Sequence, residues 1–266
     1  YRPKRGAHDA LDECVRQCHA QWYVIDLDIR GFFDAIDHER MMGVLRKHTD
    51  KRHVLLYCER WLKARVQRRG GEIEDRDTGT PQGGVISPLL ANLYLHEAFD
   101  QWIGEAAPGA RFERYADDIV VHVRTEAGAR RLLDLIRERL REYSLELSEA
   151  KTRIVYCWRK GRPPGVSPDL PRDFDFVGFT LRPRYIRLKK GGSAFWWYLP
   201  GMSRKSETRI SHELRRLRIH RWQSVGLKEI ATWFAPKLRG WIGYYGYRGF
   251  SVPWRLMRRM NVHLIQ

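Results

Sequence analysis

Two adjacent carboxylates, Asp117 and Asp118, stand between an aromatic residue and an apolar run in Tyr115-Ala116-Asp117-Asp118-Ile119-Val120-Val121. Neighbouring like charges repel, so such a pair is at ease only in water or on a cation. Taken alone it describes a solvated acidic turn. A second acidic stretch adds to it. Tyr23-Val24-Ile25-Asp26-Leu27-Asp28-Ile29 is an apolar strand pattern interrupted by Asp26 and Asp28. Two residues apart, they fall on one face of a strand. A carboxylate in such a run is costly if buried without a partner. A Lys or Arg would compensate it, and so would a divalent metal held between two strands. Oxygen ligands from two or three aspartates suit Mg²⁺, which keeps waters and completes its shell on substrate phosphates.

The elements that must carry these residues follow from pattern. Phe112 to Tyr115 is expected as an incoming strand and Ile119 to Val123 as an outgoing one, which puts Asp117-Asp118 in a two-residue hairpin turn. Residues 8–20 predict a helix with Ala10, Leu11, Cys14, Val15 and Cys18 along one face, and residues 37–48 and 51–65 predict two more. Gly70-Gly71 predicts a hairpin turn. Thr80-Pro81-Gln82-Gly83-Gly84 breaks regular structure, and its glycines let backbone approach a ligand closely. Ser87 as cap and Pro88 in the first turn open a helix to about Ile103.

Residues 125–143 predict an amphipathic helix with Leu132, Leu133, Leu135, Ile136 and Leu140 facing in and its arginines facing out. The Pro/Gly-rich segment 159–172 predicts a surface loop. Strands are expected over Phe174–Leu181, Tyr185–Leu188 and Phe195–Tyr198. From about Ser203 the pattern turns helical. Ile210, Leu214, Leu217 and Trp222 mark one helix. Leu227 to Tyr245 marks a second, interrupted at Pro236, and Trp254 to Leu264 a third.

At 266 residues the chain is long enough for one large or two small cores. Its formal charge is +17, of which residues 201–266 contribute +11 through 14 Lys/Arg against 3 Asp/Glu. Such a field favours a polyanion, in the first place nucleic acid. Four cysteines show no paired zinc or disulfide spacing. Cys14 and Cys18, one helical turn apart, are expected as packed thiols, which suits a reducing cytoplasm. Neither a signal peptide nor an 18-residue apolar run is found, so no membrane span is expected.

Five motifs in order resemble the reverse transcriptases encoded by group II introns. Asp28-Ile29-Arg30-Gly31-Phe32-Phe33-Asp34 with Ile36-Asp37-His38 is similar to the first catalytic-aspartate motif. Gly79-Thr80-Pro81-Gln82-Gly83-Gly84-Val85-Ile86-Ser87-Pro88-Leu89-Leu90-Ala91-Asn92 is similar to the template and nucleotide-positioning motif. Tyr115 to Asp118 matches the second catalytic-aspartate motif, Leu145 to Thr152 the lysine-bearing motif, and Phe176-Val177-Gly178-Phe179 the primer-grip turn. Further on, Leu238-Arg239-Gly240-Trp241-Ile242-Gly243-Tyr244-Tyr245 resembles the thumb or maturase region.

The resemblance implies an α+β fold: an antiparallel palm sheet with helices and partial fingers over 1–200, then a basic helical thumb over 201–266. Tyr1 would fall inside the fingers, with the upstream fingers strands outside this chain. Asp28, Asp117 and Asp118 would be catalytic, holding two Mg²⁺ roughly 3.5–4 Å apart with the Ile29 carbonyl. Phe33 would close on the 2′ position of the incoming sugar and favour deoxynucleotides. Gln82 and Gly83 would meet the primer or nascent pair, and Lys151 the leaving pyrophosphate. Asp26 stays outside the catalytic set, as a partner for Arg114 or Lys151. Arg215, Arg216, Arg239 and Arg258 would contact nucleic acid by phosphate and shape.

The implied partners are an RNA template (structured intron RNA), a DNA or RNA primer and dNTPs. Two alternatives stay open. One is a non-catalytic maturase that binds intron RNA and aids splicing. The other is a related reverse transcriptase recruited to CRISPR or other defence systems.

Overall fold

The computed structural model describes residues 5–67, 70–81, 83–158, 167–187, 194–217, 226–246 and 258. Its centre is a four-stranded antiparallel sheet in the order β4 (Arg111–Tyr115), β5 (Asp118–Val123), β1 (Tyr23–Leu27), β6 (Arg153–Tyr156). Successive side chains on a strand point to opposite faces, so each strand serves two layers.

Tyr23, Ile25, Leu27, Ile119, Val121, Ile154 and Tyr156 enter one core. They pack there with buried residues of α3 (His38–His48), α4 (Arg52–Leu62), α5 (Ser87–Leu95) and α7 (Glu126–Glu142). On the other face Val24, Val120 and Val155 meet Leu11, Cys14 and Cys18 of α1 (Ala7–Ala20). The same second core takes in a three-stranded sheet, β7 (Phe174–Phe176), β8 (Phe179–Arg187) and β9 (Ala194–Met202). Ile210 and Leu214 of α8 (Arg204–Leu217) and Tyr245 of α9 (Leu227–Tyr245) close it. Cover on both faces explains why β1 opens as an unbroken apolar run.

Local chemistry sets the element ends. Asp37 accepts the Arg40 N–H at 2.8 Å to cap α3, and Thr125 accepts the Gly128 N–H at 3.1 Å to cap α7. A short α2 (Phe32–Ala35) follows Gly31, which adopts a left-handed φ of 54°. A two-stranded ribbon, β2 (Val66–Gln67) and β3 (Ile73–Glu74), flanks Gly70-Gly71. After α5 the helix widens into a π-helical turn at His96–Asp100 and continues as α6 (Gln101–Ala106).

Several expectations are corrected. The hairpin turn is Ala116-Asp117, because Tyr115 pairs with Asp118 and β5 starts there. Asp28 lies one residue beyond β1. Ser87 does not cap α5; its hydroxyl donates to the Pro81 carbonyl at 2.7 Å, folding the preceding loop back on the helix. Leu135 of α7 is exposed, since four inward positions already fill the stripe. Arg139 is turned inward, donating to the Glu97 and Ala98 carbonyls and stacking on Tyr143.

The helix α9 runs unbroken through Pro236. The ring removes one hydrogen bond on an exposed side, where water can satisfy the freed carbonyl. Trp222, residues 159–166 of the expected loop and the expected third helix, apart from Arg258, lie outside the described residues.

Candidate active site

Asp28 is set by the end of β1. Its carbonyl accepts the Ser148 N–H at 2.8 Å, its own N–H donates to the Thr152 hydroxyl at 3.3 Å, and Arg30 N–H donates to the Glu146 carbonyl at 2.8 Å. Ile29 is buried and bridges Leu147 in this short pairing. The two ladder bonds belong to its neighbours, so the Ile29 carbonyl is not used in the pairing. The Asp28 carboxylate, partly exposed, faces the Lys151 ammonium at 3.2 and 3.4 Å. Lys151 thus sits on the first aspartate.

Asp118 lies on the strand beside Asp26, on the same face of the sheet. One of its oxygens accepts the Val177 N–H at 3.2 Å. Solvent reaches it from one side, but crowding on the others desolvates the carboxylate. That crowding, with the charges of Asp117 and Asp28, outweighs the Val177 bond and nearby Lys205 and raises its pKa. Asp117 is exposed at the tip of the turn.

The turn itself is strained and braced. Ala116 has φ 57°, a region costly for a side-chain-bearing residue. Arg114 holds it by donating to the Ala116 carbonyl at 3.1 Å. Arg114 is in turn fixed by Asp100 at 2.7 and 2.5 Å and by Asn92 at 2.9 Å. Asp100 is on the π-helical turn, whose extra residue re-aims it. Asp26 is therefore not a partner of Arg114 or Lys151: it faces its cross-strand neighbour Arg153 at 3.2 Å. Burial, only partly offset by Arg153, pushes the Asp26 carboxyl up to about 6.

Phe33 is half-buried on α2, against buried Phe32. Its carbonyl accepts the Thr80 N–H at 2.7 Å, and Gly79 N–H donates to the Ile36 carbonyl at 2.7 Å. The His38 ring bonds the Gly79 carbonyl at 2.7 Å. Gly79 has φ 81°, and a Cβ there would stand 2.8 Å from the Asp34 Cα. The Gly79–Pro81 loop is thus fastened to the Phe33 turn, at a place only glycine fits. Gly83 is exposed with φ 89°, and Gln82 lies outside the described residues.

A third turn completes the site. Phe176 and Phe179 close a two-residue hairpin in which Val177 (φ 44°) and Gly178 (φ 79°) are both left-handed, the I′ pattern. A β-branched residue resists that conformation. Val177 is held on both sides, its N–H on Asp118 and its carbonyl accepting the Tyr244 hydroxyl at 2.8 Å. The Gly178 carbonyl accepts from Ser203 N–H and the Ser206 hydroxyl, both at 3.0 Å. The helices α8 and α9 therefore grip the turn that touches Asp118.

The exposed side of α8 carries Arg204, Lys205, Arg209, His212, Arg215 and Arg216, a basic stripe at helical spacing that starts beside Asp118. Arg239 on α9 and Arg258 are also exposed. Sequence reasoning missed Arg114–Asp100, His38–Gly79 and Tyr244–Val177. Their one signal was that Asn92, His38 and Tyr244 fall inside quoted motifs.

Three carboxylates at one end of a sheet, crowded enough to raise one pKa and already facing two lysines, are a hard oxygen donor set that fits Mg²⁺. Residues 1–181 match the family described as reverse transcriptase (RNA-dependent DNA polymerase), and residues 208–266 match the group II intron maturase-specific domain. Among curated relatives, the Group II intron-encoded protein LtrA of Lactococcus lactis subsp. cremoris is 29% identical over 160 residues, 58% of this chain and 26% of that protein. Protein YkfC of Escherichia coli K12 is 28% identical over 198 residues, 59% of this chain and 50% of YkfC. The chain thus spans half or less of these relatives' lengths.

In fold, the chain is similar to a Candida albicans telomerase structure solved in complex with a TWJ fragment of telomeric RNA. The TM-score is 0.53 at 11% identity, over 98% of this chain and 47% of that one. The chain belongs to the reverse transcriptase family, in its group II intron form with a maturase-specific domain.

Proposed function

We propose that this chain is the catalytic and RNA-binding part of an RNA-directed DNA polymerase. It would add dNTPs to a primer 3′-hydroxyl on an RNA template and bind intron RNA to aid its splicing. The observation that carries this reading is the meeting of Asp28, Asp117 and Asp118 at one end of the palm sheet, with the α8 basic stripe leading away from it.

In this reading residues 1–200 form the polymerase region and 201–266 the basic helical region. Asp28, Asp117 and the Ile29 carbonyl would hold Mg²⁺, with Asp118 beside them. The bound metal would neutralise the triphosphate and acidify the primer hydroxyl. The chain's own residues do the positioning. Phe33, fixed by the Gly79–Thr80 backbone, would leave no room for a 2′-hydroxyl. Gln82 and Gly83 would lie along the nascent pair. Lys151 would leave Asp28 for the pyrophosphate as it departs. Val177, clamped by Tyr244, would set Asp118 and the primer end together.

Arg215, Arg216, Arg239 and Arg258 would follow the duplex backbone, where each phosphate contact adds salt sensitivity. Four free, buried cysteines suit a reducing cytoplasm.

Primer extension tests this. An RNA template, a DNA primer, Mg²⁺ and the 266-residue chain should give extension with dNTPs and not with NTPs, abolished in Asp117→Asn. No extension, with salt-sensitive binding of structured RNA retained, would overturn the polymerase half and leave the RNA-binding half standing.

A further inference from the structure

The palm face that carries the aspartates has a second polar cluster at its far end, fully enclosed. Cys14 of α1, Glu113 of β4 and His122 of β5 are all buried, and one donor atom from each lies within 4.8 Å of the others. Cys18, one helical turn along α1, lies against Cys14, Cys157 and His122. Val24, Val120, Val155 and Leu11 pack around it, and Glu13, Arg16 and Asp26 are near enough to act on its charges.

Its polar atoms are poorly served by protein alone. His122 is 0% exposed, and neither ring nitrogen has a hydrogen bond of good geometry. The Glu113 Oε2 is in the same position, although it stands 2.9 Å from His122 Nε2: the distance is that of an ion pair, but the alignment is not that of a hydrogen bond. Glu113 and Cys18 face the ring and favour its protonated form, but the off-line geometry leaves these buried atoms short of the hydrogen bonds such groups nearly always make. A soft-to-borderline cation would find one imidazole, one carboxylate and two thiols, each a donor that zinc takes.

We propose that Cys14, Cys18, Glu113 and His122 form a structural Zn²⁺ site that pins α1 to the β4–β5 hairpin, behind the turn bearing Asp117 and Asp118. Tetrahedral ligands at zinc bond lengths stand roughly 3.3–3.8 Å apart; Cys14, Glu113 and His122 already lie within 4.8 Å of one another, and Cys18, which is not one of that group, would have to swing in from the next helical turn as the fourth ligand. Both thiols would bind as thiolates and His122 as the neutral imidazole, so the two thiol protons and the imidazolium proton would be released as the metal binds. The site would be separate from the aspartate site in chemistry as well as place. Mg²⁺ does not take thiolates, and three hard carboxylates are a poor match for zinc beside two cysteines.

Two measurements on the intact chain test it. Elemental analysis of protein purified with added zinc and dialysed without chelator should find about one zinc per chain. After chelation under reducing conditions, added Co²⁺ should produce a near-ultraviolet thiolate-to-cobalt charge-transfer band. The band should survive in Cys58→Ser, whose thiol lies in the other core, and weaken clearly in Cys14→Ser, where Cys18 would be the one proposed thiolate left. The Co²⁺ titration uses the unmutated protein, so it stands even if Cys14→Ser fails to fold. Absence of both stoichiometric zinc and the cobalt band from folded protein would overturn the site.

Discussion

The two faces of the palm sheet are built from the same strands and do opposite work. On one, Ile25, Leu27, Ile119, Val121 and Ile154 interlock with helices and carry no charge. On the other, the alternate positions of the same strands hold Asp26, Glu113, Asp118 and His122 among valines. Period-two alternation lets a single strand stabilise the fold with one set of alternate residues and host chemistry with the other. The strand positions on the first face carry no charged residue. The second keeps its polar groups only because Arg153, Val177, Lys151 and the proposed cations answer them.

If that division holds, substitutions on the two faces should fail in different currencies. The largest effect expected is on the chemical face. Asp117→Asn, at an exposed turn, should leave thermal stability within about 0.5 kcal/mol of the parent and reduce primer extension by a thousandfold or more, about 4 kcal/mol of barrier. Melting curves and single-turnover extension on the same preparation check it. A large loss of stability, or extension within tenfold of the parent, would break the division.

Next is the dry face. Ile25 is fully buried between β5 and β6, and Ile25→Ala should cost about 2–4 kcal/mol of stability through lost burial and a residual cavity. Extension by the fraction that stays folded should be unchanged at low temperature. Gly79→Ala is the intermediate case. Its Cβ would meet backbone at 2.8 Å in a left-handed conformation, so the Phe33 turn has to shift. Stability should fall by about 1–3 kcal/mol, and discrimination between dNTPs and NTPs should weaken with it. Incorporation ratios measured on folded protein check the second part.

This contrast also shows what could be read in the sequence. The alternation in Tyr23–Asp28 and Tyr115–Val121 carries both faces, and motif order carries the site. Hairpin position was one residue off because Ala, not Asp, takes the left-handed slot, a choice that Arg114 and Asp100 enforce from afar. Asp26–Arg153 and Asp118–Val177 span 127 and 59 residues. Such pairings depend on which strands become neighbours, and no local pattern encodes that. The run through Pro236 was missed for the same reason, since tertiary burial of Trp241, Ile242 and Tyr245 outweighs a local break.

The tie between the thumb-like helices and the site is weaker, and sharper as a probe. Tyr244→Phe removes one hydroxyl from the Val177 carbonyl and should cost about 1 kcal/mol of stability. The turn then holds a strained Val177 with one fastening instead of two. The expected signature is a rise in KM for primer-template larger than any drop in the rate at saturation, read from extension at varied primer-template concentration.

The smallest effect tests whether the dry side's own ion pairs are purely structural. Burial pushes the Glu97 carboxyl up, but Lys47 at 2.9 Å and His48 at 3.0 Å more than offset it, leaving its pKa below the ordinary carboxylate value. A carboxylate whose folded pKa is depressed contributes stability that is present above its unfolded pKa, about 4.3, and is lost as pH falls through the folded value. Glu97→Gln should therefore lower stability at neutral pH by about 1 kcal/mol or less, because Lys47 is largely exposed and screened. The gap between variant and parent should close as pH drops below about 4. Extension at neutral pH should not change. A variant that loses extension while keeping its stability would mean that the helical side also reaches the chemistry, and the separation of the two faces would fail there.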